Sequence, residues 1–315
     1  MNAPRVSVLI PTYRYAGYLR EAMDSVLAQD FADFELLVSD DCSGDGSAAI
    51  LQEYAARDPR IRVHVHPANV GMVQNWNWCL REARGEFVKF IFGDDKFAGP
   101  DALGKMVAML VAHPEAAFAV SARNVIDEKS RVIAVWSHLG DPGIHDSGDT
   151  MFRCLAEGNM VGEPTAVMFL RSATTRGFSE AYAQMVDLEM WLHLLGKGPL
   201  VYTPEPLCEF RRHPLQQTEV NKETDLQSSE MLRLILDYGG SPLLAGRDMR
   251  GVAFRRLYKT RKSASGNPAI AAARAQLLGR LGRPAYCIRW IWKKLSNPFT
   301  AITRWVSKSK TRERQ

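Results

Sequence analysis

The chain has 315 residues, of which 46% are hydrophobic and 24% charged, with a formal net charge of +5. This composition is typical of a globular protein and excludes collagen-like repeats, long disordered segments and small disulfide frameworks. No run of about 18 apolar residues predicts a membrane span, and the first residues do not predict a signal peptide. The five cysteines lack the paired spacing of a zinc site or a disulfide framework, which favours a reducing cytoplasm.

The first hundred residues predict an alternation of strands and helices. Short apolar strands are expected at 6–10, 34–39, 61–65 and 87–92, and residues at helical spacing follow each of them. This alternation predicts an α/β protein with a mostly parallel, Rossmann-like sheet flanked by helices on both faces.

Beyond residue 100 the pattern is less regular. The expected segments are a helix near 101–113, a strand near 117–120, a polar loop at 138–149, a helix around 190–195 and a proline-punctuated segment at 199–214. From about residue 228 onward the sequence predicts helices, interrupted at Gly239-Gly240 and in a linker-like stretch at 263–268.

Polar residues follow the predicted strands of the first half, at the point where each strand ends. They are Thr12-Tyr13, Asp40-Asp41, Asn69 and Asp94-Asp95. Open parallel sheets bind ligands in the crevice beyond the carboxyl ends of their strands. Polar residues at four such ends therefore predict a ligand site at this edge of the sheet.

The turn after the first strand, Pro11-Thr12-Tyr13-Arg14, contains neither of the common glycine-rich sequences that bind phosphates through the backbone. A phosphate ligand would then be bound through a cation, and carboxylate oxygens are the ligands that Mg²⁺ and Mn²⁺ prefer. Asp94-Asp95 by itself is more typical of a solvated turn than of a metal site. Because the pair directly follows an apolar strand, at the same edge as Asp40-Asp41, we interpret it as a metal site.

Two segments, VSVLIPTYRYAGYLREAMDSVLAQDFADFELLVSDDCSGDGS and NVGMVQNWNWCLREARGEFVKFIFGDD, resemble the family 2 glycosyltransferases of the GT-A fold. The resemblance covers roughly residues 4–215 and indicates the family but not the sugar. It implies that the donor nucleotide is bound by Pro11, Thr12, Tyr13, Asp40, Asp41, Asn69 and Asp94. Among these, Tyr13 would lie beside the base, and Asp41 would bind uracil or thymine with support from Asp40.

The same resemblance assigns Asp94 and Asp95 to the family's DxD-like motif, with Asp94 directed to the ribose and Asp95 to the metal and the diphosphate. It implies a Mn²⁺ or Mg²⁺ ion bound by Asp94, Asp95 and His213. Gly93 occupies the leading place of the motif, which leaves the division of roles between the two carboxylates open. Arg211 and His213 match an aromatic-Arg-x-His stretch and would stabilise the leaving diphosphate, with a solvated basic turn as the alternative.

The segment Met185 to Leu192 resembles the family's ED-x-D-x-W-L region. This implies that Asp187 is the catalytic base, which accepts the proton of the acceptor hydroxyl, and that Glu189 is a supporting acid. Val186 stands where the family usually has its first acid. The alternative interpretation of Asp187 is an acid in the first turn of a helix, stabilised by the helix dipole.

Charge is distributed unequally, with a net of −11 over residues 1–240 and +16 over residues 241–315. The basic region includes 286–295 and 299–306, which mix Trp, Ile and Phe with Lys and Arg. This pattern predicts binding to an anionic membrane surface, unless these residues pack on the catalytic region and their charges are only solvated. Because no recognised nucleic-acid-binding module accompanies the charge, no nucleic acid partner is expected.

Together these inferences predict an inverting glycosyltransferase with a nucleoside-diphosphate sugar donor, UDP or dTDP being expected. The acceptor would be a hydroxyl of a glycan or lipid-linked molecule in cell-surface polysaccharide synthesis. The expected organisation is a GT-A domain at 1–225, with a nucleotide-binding half at 1–100 and a catalytic half at 101–225, followed by a helical basic region at 226–315. The expected location is the cytoplasm, at the inner face of the bacterial cytoplasmic membrane.

Other functions remain to be compared with this one. A catalytically silent sugar-nucleotide-binding or scaffold protein of the same fold is the main alternative, because Val186 breaks the acidic pair. A nicotinamide dehydrogenase would need a glycine fingerprint that the sequence lacks. A glycoside hydrolase would need two carboxylates separated across a sugar ring, not adjacent in sequence.

Overall fold

The structure, a computed structural model, describes residues 3–214, 216 and 225–281. Ten strands are described: β1 Val6–Thr12, β2 Phe34–Asp40, β3 Ile61–Val65, β4 Phe87–Phe90, β5 Lys96–Phe97, β6 Phe118–Ile126, β7 Val132–Trp136, β8 Gly143–His145, β9 Val167–Leu170 and β10 Leu200–Arg211. The α-helices described are α1 Ala16–Leu27, α2 Ser47–Ala55, α3 Met72–Glu82, α4 Ala102–Ala112, α5 Ser147–Glu157, α6 Val186–Leu195, α7 Leu226–Tyr238, α8 Met249–Lys259 and α9 Pro268–Leu281. Within these residues, no helix is long and apolar enough to cross a membrane.

All ten strands belong to one sheet, whose main path has the order β3-β2-β1-β4-β9-β6-β10-β5. Strands β3, β2, β1 and β4 are parallel, β9 is antiparallel to both of its neighbours, and β6 and β10 are parallel again. The predicted α/β class and helix-flanked sheet are confirmed. Because β1 lies between β2 and β4, the strand order reverses there, and a ligand crevice is expected beyond its carboxyl end.

The alternation of side chains along each strand builds a separate apolar core on each face of the sheet. On β1, Leu9 joins a cluster that includes helices α3 and α5 to α9, whereas Val8 and Ile10 join a cluster with α1 and α4. All three side chains are fully buried. Strands covered on both faces lose the polar alternation of a half-exposed strand, which explains the continuous apolar run in this part of the sequence.

The second half of the chain contains more regular structure than the sequence indicates. The proline-punctuated segment at 199–214, for which the sequence predicted no element, is mainly strand β10, which pairs with β6 along its length. Its pairing shifts register between Thr203 and Pro206 and again before Cys208. A proline is tolerated where a ladder is irregular, because its missing N–H does not break a regular hydrogen bond there.

The helices after residue 225 pack on the rest of the protein. Met231, Leu232 and Leu234 of α7 belong to the same buried cluster as the side chains of α6. Arg256 donates to the carbonyl of Ala156 at 3.1 Å, near the end of α5. The division between 1–225 and 226–315 stays a prediction, and the segments 286–295 and 299–306 lie outside the described residues.

Candidate functional site

A cleft of about 580 Å³ opens at the carboxyl edge of β1, β2 and β4. The predicted site residues that line it are Pro11, Thr12, Tyr13, Asp41, Asn69, Asp94, Asp95 and Asp187. They come from segments that are far apart in the sequence. The sheet edge and the first turn of α6 therefore form one site.

Four predicted site residues, Asp40, Glu189, Arg211 and His213, do not line this cleft but lie behind its wall. Each of them contacts a neighbouring element. Asp40, for example, accepts a hydrogen bond from the backbone N–H of Ser43 at 3.2 Å. Their predicted roles toward a ligand therefore stay predictions, while their structural contacts are defined.

Asp41 organises the loop that follows β3. Its Oδ1 accepts the N–H of Val70 at 2.7 Å and its Oδ2 the N–H of Gly71 at 2.9 Å. Asn69 donates to the backbone carbonyl of Asp41 at 3.2 Å. The carboxylate thus fixes the backbone of 69–71 along one side of the cleft. Its role in binding a nucleobase stays a prediction.

Gly93 is explained by its neighbours. A Cβ at this position would lie 2.5 Å from Thr12 Oγ1 and 3.3 Å from the ring of Tyr15, and the first distance is well inside van der Waals contact. The acid that the family often has at the leading place of the motif would therefore require Thr12 to move. This steric reason explains the glycine at that place, and both aspartates that follow it line the cleft.

Asp94 is 5% exposed and is hydrogen-bonded on two sides. His213 Nε2 lies 3.0 Å from its Oδ2, and the hydroxyl of Tyr15 donates to the same carboxylate. Burial raises the pKa of Tyr15, and the charges of Asp94 and Asp95 raise it further, so this hydroxyl stays a donor. His213 therefore contacts Asp94 from outside the cleft lining, and its roles toward a metal and a diphosphate stay predictions.

Asp95 is 1% exposed. Its Oδ1 accepts the backbone N–H of Arg211 at 2.9 Å, and its Oδ2 accepts the hydroxyl of Thr165 at 2.5 Å. Burial raises the pKa of Asp95 well above its usual value, and the adjacent charge of Asp94 raises it further. The negative charges of these two adjacent, buried carboxylates are thus not fully compensated by positive charge nearby.

Arg211 does not supply that charge directly. Its guanidinium is fully buried and donates to Glu21 Oε2, to the carbonyl of Asp127 and to Ser130 Oγ, each at 3.0 Å. Its Nε donates to the backbone carbonyl of Asp94 at 2.8 Å. In this arrangement Arg211 joins β10 to the acidic pair through backbone groups.

The acidic pair fits a hard divalent cation. The two carboxylates are adjacent and line the cleft, and the raised pKa of Asp95 shows the electrostatic cost that a cation would remove. The described residues contain no cluster of three or more potential metal ligands of the His, Cys, Asp or Glu type. This is compatible with Mg²⁺ or Mn²⁺, which are often bound by one or two carboxylates with the remaining ligands from substrate phosphates and water.

A buried lysine lies beneath the acidic pair. Lys89 on β4 is fully buried, and its Nζ donates to the carbonyl of Thr165, the residue whose hydroxyl binds Asp95. Burial lowers the pKa of Lys89 to about 8, although the charge of Asp95 opposes this. Lys89 is therefore connected to Asp95 through Thr165.

We expect the Lys89→Met variant to differ from wild type in the pH dependence of stability. Between the folded pKa of about 8 and the usual value of 10.5, only the unfolded lysine keeps its proton. The free energy of unfolding of wild type should therefore rise with pH across this window, by on the order of 3 kcal/mol relative to the variant. Denaturant unfolding at pH 8, 9 and 10.5 measures the difference, in which the titration of the tyrosines cancels. A constant difference across this range would contradict the lowered pKa.

Asp187 lies in the first turn of α6 and is partly exposed to the cleft. Its Oδ2 accepts a hydrogen bond from Asn159 Nδ2 at 2.9 Å, and its Oδ1 accepts the N–H of Leu188 at 2.7 Å. Burial raises the pKa of Asp187 to about 7, the charge of Glu163 adds to this effect and that of Arg123 opposes it. An acid that served only the helix dipole would have a lowered pKa. A carboxyl that titrates near neutrality is suited to act as a general base.

Sequence reasoning missed the residues that surround Asp187. Glu163 lines the cleft and forms an ion pair with Arg123 at 2.6 Å, and Asn159 fixes the same loop through Gly162. Trp191 of α6 donates to the carbonyl of Gly162 at 2.8 Å. The only sequence signal was the cluster of glycine and polar residues at 158–163, which indicates a loop but not its position.

Glu189 is 4% exposed and is turned away from the cleft toward other elements. It accepts two hydrogen bonds from Arg176, each at 2.9 Å, and one from the hydroxyl of Tyr238 on α7. Val186, at the place of the family's first acid, is 1% exposed and packs in the apolar cluster. Glu189 thus supports α6 from behind, while Asp187 is the carboxyl of this helix that reaches the cleft.

Aromatic side chains form part of the cleft wall. Trp76 packs against Phe92, with ring centroids 4.9 Å apart, and both residues line the cleft. Trp78 instead stacks on His64, with centroids 4.0 Å apart. His64 of β3 and His66, directly after the strand, thus belong to an aromatic cluster, and no metal-binding group includes them among the described residues.

Solved structures share this fold. The structure is similar to that of Staphylococcus aureus TarS, residues 1–349, in complex with UDP-GlcNAc, with a TM-score of 0.67 and 17% identity over 89% of this chain and 82% of that one. It is also similar to the mannosyltransferase PcManGT from Pyrobaculum calidifontis in complex with GDP-Man and Mn²⁺, with a TM-score of 0.59 and 18% identity over 96% of this chain and 84% of that one. At these identities the likeness shows the fold, which is the GT-A type.

Sequence relatives and a family model give the same result. The chain is 32% identical to the protein MT1568 of Mycobacterium tuberculosis over 67% of each chain. It is 30% identical to TuaG of Bacillus subtilis, whose name assigns it to teichuronic acid biosynthesis, over 66% of this chain and 79% of that one. The model of "Glycosyl transferase family 2" matches residues 7–178, which is more than half of the chain. With the acidic pair and Asp187 in one cleft of a GT-A fold, the protein belongs to glycosyl transferase family 2 and is a glycosyltransferase.

Proposed function

We propose that this glycosyltransferase transfers a sugar, with inversion, from a UDP or dTDP sugar to a hydroxyl of a glycan or lipid-linked acceptor in cell-surface polysaccharide synthesis. One observation carries the proposal: Asp187, with a pKa of about 7, lines the same cleft as the buried pair Asp94 and Asp95. Asp187 is suited to accept a proton, and the pair Asp94 and Asp95 is suited to bind a diphosphate through a cation. An inverting transfer needs both functions in one site.

The cleft residues divide these tasks by position. Pro11, Tyr13 and Asp41 line the cleft at the ends of β1 and β2. There they would provide apolar and polar contacts to the nucleobase and the ribose of the donor. Asp94 and Asp95 would hold the divalent cation, which when bound supplies positive charge to the diphosphate. Asp187 would accept the proton of the acceptor hydroxyl. At the same time the acceptor oxygen would form a bond to the anomeric carbon, and the bond from that carbon to the diphosphate would break.

Similar proteins support the choice of donor and pathway. TarS has been solved with UDP and with UDP-GlcNAc, PcManGT has been solved with GDP-Man and Mn²⁺, and TuaG is named for teichuronic acid biosynthesis. We infer a nucleoside-diphosphate sugar donor for this chain, with a uracil base as the first candidate. The comparison with PcManGT makes GDP a necessary competitor in the test.

We place the protein in the cytoplasm, at the inner face of the cytoplasmic membrane. The exposed cations Arg250, Arg255 and Lys259 of α8 and the net charge of +16 over residues 241–315 support this location. The full chain should sediment with phosphatidylglycerol vesicles and not with phosphatidylcholine vesicles at low salt. Equal sedimentation with both would contradict the electrostatic part of the proposal.

Calorimetry of nucleotide binding tests the donor site. UDP, dTDP and GDP are titrated into the full chain with Mn²⁺ and with EDTA, and we expect one of the three to bind at least about tenfold more tightly with Mn²⁺. Uridine serves as a control, because it lacks phosphate and should not respond to the metal. No binding of any nucleotide under either condition would contradict the proposed function.

The silent-scaffold alternative makes a different prediction for the same protein. A scaffold would bind a nucleotide but release none from a sugar nucleotide, even when Asp187 is intact. Slow hydrolysis of UDP-GlcNAc, measured as UDP formed without an acceptor and abolished in the Asp187→Asn variant, would exclude the scaffold. Binding without any turnover, with water or with candidate acceptors, would favour it.

A further inference from the structure

A buried carboxylate of α7 binds the backbone that leads into α6. Glu230 is 7% exposed, and its Oε1 accepts the N–H of Ala183 at 2.7 Å. Its Oε2 accepts the N–H groups of Gln184 at 2.9 Å and Met185 at 2.7 Å. One carboxylate thus satisfies three successive backbone donors next to a helix N-terminus, where such donors have no partner within the helix and where the helix dipole favours a negative charge.

The bound segment belongs to the cleft. Ala183 and Gln184 line it, as do Val186 and Asp187 in the first turn of α6. Because Met185 is the residue directly before α6, fixing its N–H fixes the direction in which the helix begins. Any shift of the 183–185 backbone would therefore be transmitted to the side chain of Asp187.

Other contacts from α7 reach the same region but do not bind this backbone. The hydroxyl of Tyr182 donates to Asp237 at 2.6 Å, and the hydroxyl of Tyr238 donates to Glu189. These two bonds join side chains on either side of the segment, and Arg233 of α7 donates to the carbonyl of Ala181 at 2.9 Å, two residues before the segment. Glu230 differs from them because it accepts three successive main-chain N–H groups, two of which belong to residues that line the cleft.

We propose that Glu230 is a positioning residue for the catalytic base: it holds the backbone of 183–185 so that Asp187 enters the cleft in the orientation that proton transfer requires. This inference rests on the proposed function, since it assigns the base role to Asp187. It also gives the helices after residue 225 a part in catalysis. A displacement of a catalytic group by about 1 Å can lower a rate by about 100-fold, so a positioning contact of this kind has measurable consequences.

The test uses the Glu230→Gln variant of the full chain. The amide keeps the size of the side chain but places an NH₂ donor against at least one N–H, so one of the three hydrogen bonds is lost. We expect the amides of 183–185 to exchange with deuterium at least about tenfold faster in the variant. We expect kcat for UDP release from UDP-GlcNAc with Mn²⁺ to fall about tenfold, while the Kd of UDP stays within twofold.

The matched control is Asp237→Asn, an acid-to-amide change on the same helix that weakens the bond to Tyr182. It should lower thermal stability less than Glu230→Gln does, because Asp237 is half-exposed, and it should leave kcat and the exchange of 183–185 within twofold of wild type. A comparable loss of kcat in this control would show that general loosening of α7 is responsible, and would overturn the proposal. Unchanged exchange at 183–185 in Glu230→Gln, or faster exchange with unchanged kcat, would also overturn it.

A readout that does not depend on turnover separates this proposal from the proposed function. The titration of Asp187, followed by carbon-13 NMR of labelled aspartate, reports its surroundings directly. Glu230→Gln leaves the neighbours Glu163 and Arg123 unchanged, but it also removes a negative charge, which by itself lowers the midpoint by an amount that salt reduces. A lower midpoint that persists at high salt would show that the carboxyl has moved toward water. An unchanged midpoint would count against positioning by Glu230, whereas failure of wild type to bind any nucleotide would count against the proposed function alone.

Discussion

The Asp187→Asn variant is expected to lose about 10³-fold in kcat for release of the nucleoside diphosphate, with the Kd of that nucleotide unchanged within twofold. The amide keeps the size of the side chain and can still accept the N–H of Leu188, but it cannot accept a proton from the acceptor. General base catalysis contributes about 10²- to 10⁴-fold, which sets the expected loss. Steady-state turnover and calorimetry on the same preparations measure the two quantities.

Glu163→Gln is the matched control, because Glu163 is the other carboxyl in this part of the cleft. Glu163 is engaged in the ion pair with Arg123, whereas Asp187 has a pKa of about 7. The control should therefore retain most of the activity. If Glu163→Gln lost more activity than Asp187→Asn, the assignment of the base would be wrong.

The pH profile gives a second check on Asp187. Because its ionised form must accept the proton, kcat should rise with pH, with a midpoint near 7. Removing the negative charge of Glu163 should move this midpoint to lower pH, since that charge raises the pKa of Asp187 and the unpaired Arg123 would lower it. A midpoint that is the same in wild type and in Glu163→Gln would contradict the electrostatic account.

The second large effect is expected from Asp95→Asn, which should abolish the Mn²⁺ dependence of nucleotide binding and weaken binding in the presence of Mn²⁺ at least about 100-fold. The variant removes one negative charge from the pair that would hold the cation. Its amide oxygen can still accept the N–H of Arg211, and the hydroxyl of Thr165 can rotate to accept from the amide NH₂, so the fold should be kept. Calorimetry with Mn²⁺ and with EDTA measures the loss.

Asp40→Asn is the control for charge, because Asp40 is 1% exposed and does not line the cleft. It removes a buried acid at the neighbouring strand end without touching the pair at Asp94 and Asp95. Its nucleotide binding should keep the response to Mn²⁺. Retention of metal-dependent binding in Asp95→Asn would contradict the metal assignment, and its loss in Asp40→Asn as well would indicate a general disturbance of the sheet edge.

Local patterns were sufficient for the first half of the fold. The strand expected at 61–65 is β3, and that expected at 87–92 is β4 at Phe87–Phe90. The strand β4 is buried on both faces, and β3 at the edge of the sheet alternates apolar and polar residues, so each is recognised from its own local pattern. No structure was predicted for the proline-punctuated segment at 199–214, and the pairing of β10 with β6, with its two register shifts, makes a strand of it.

The sequence by itself determined the α/β class, the acids at the strand ends and the family, because these depend on periodicity and on motifs of a few consecutive residues. The family resemblance also separated Asp41 and Asp187, with direct roles, from Asp40 and Glu189, with supporting roles. The tertiary structure shows that Asp41 and Asp187 line the cleft and that Asp40 and Glu189 are buried and do not line it. The pKa of Asp187 and the contact of Glu230 with 183–185 were likewise decided by packing, because burial and hydrogen bonds between residues some 45 positions apart arise only when the chain is folded.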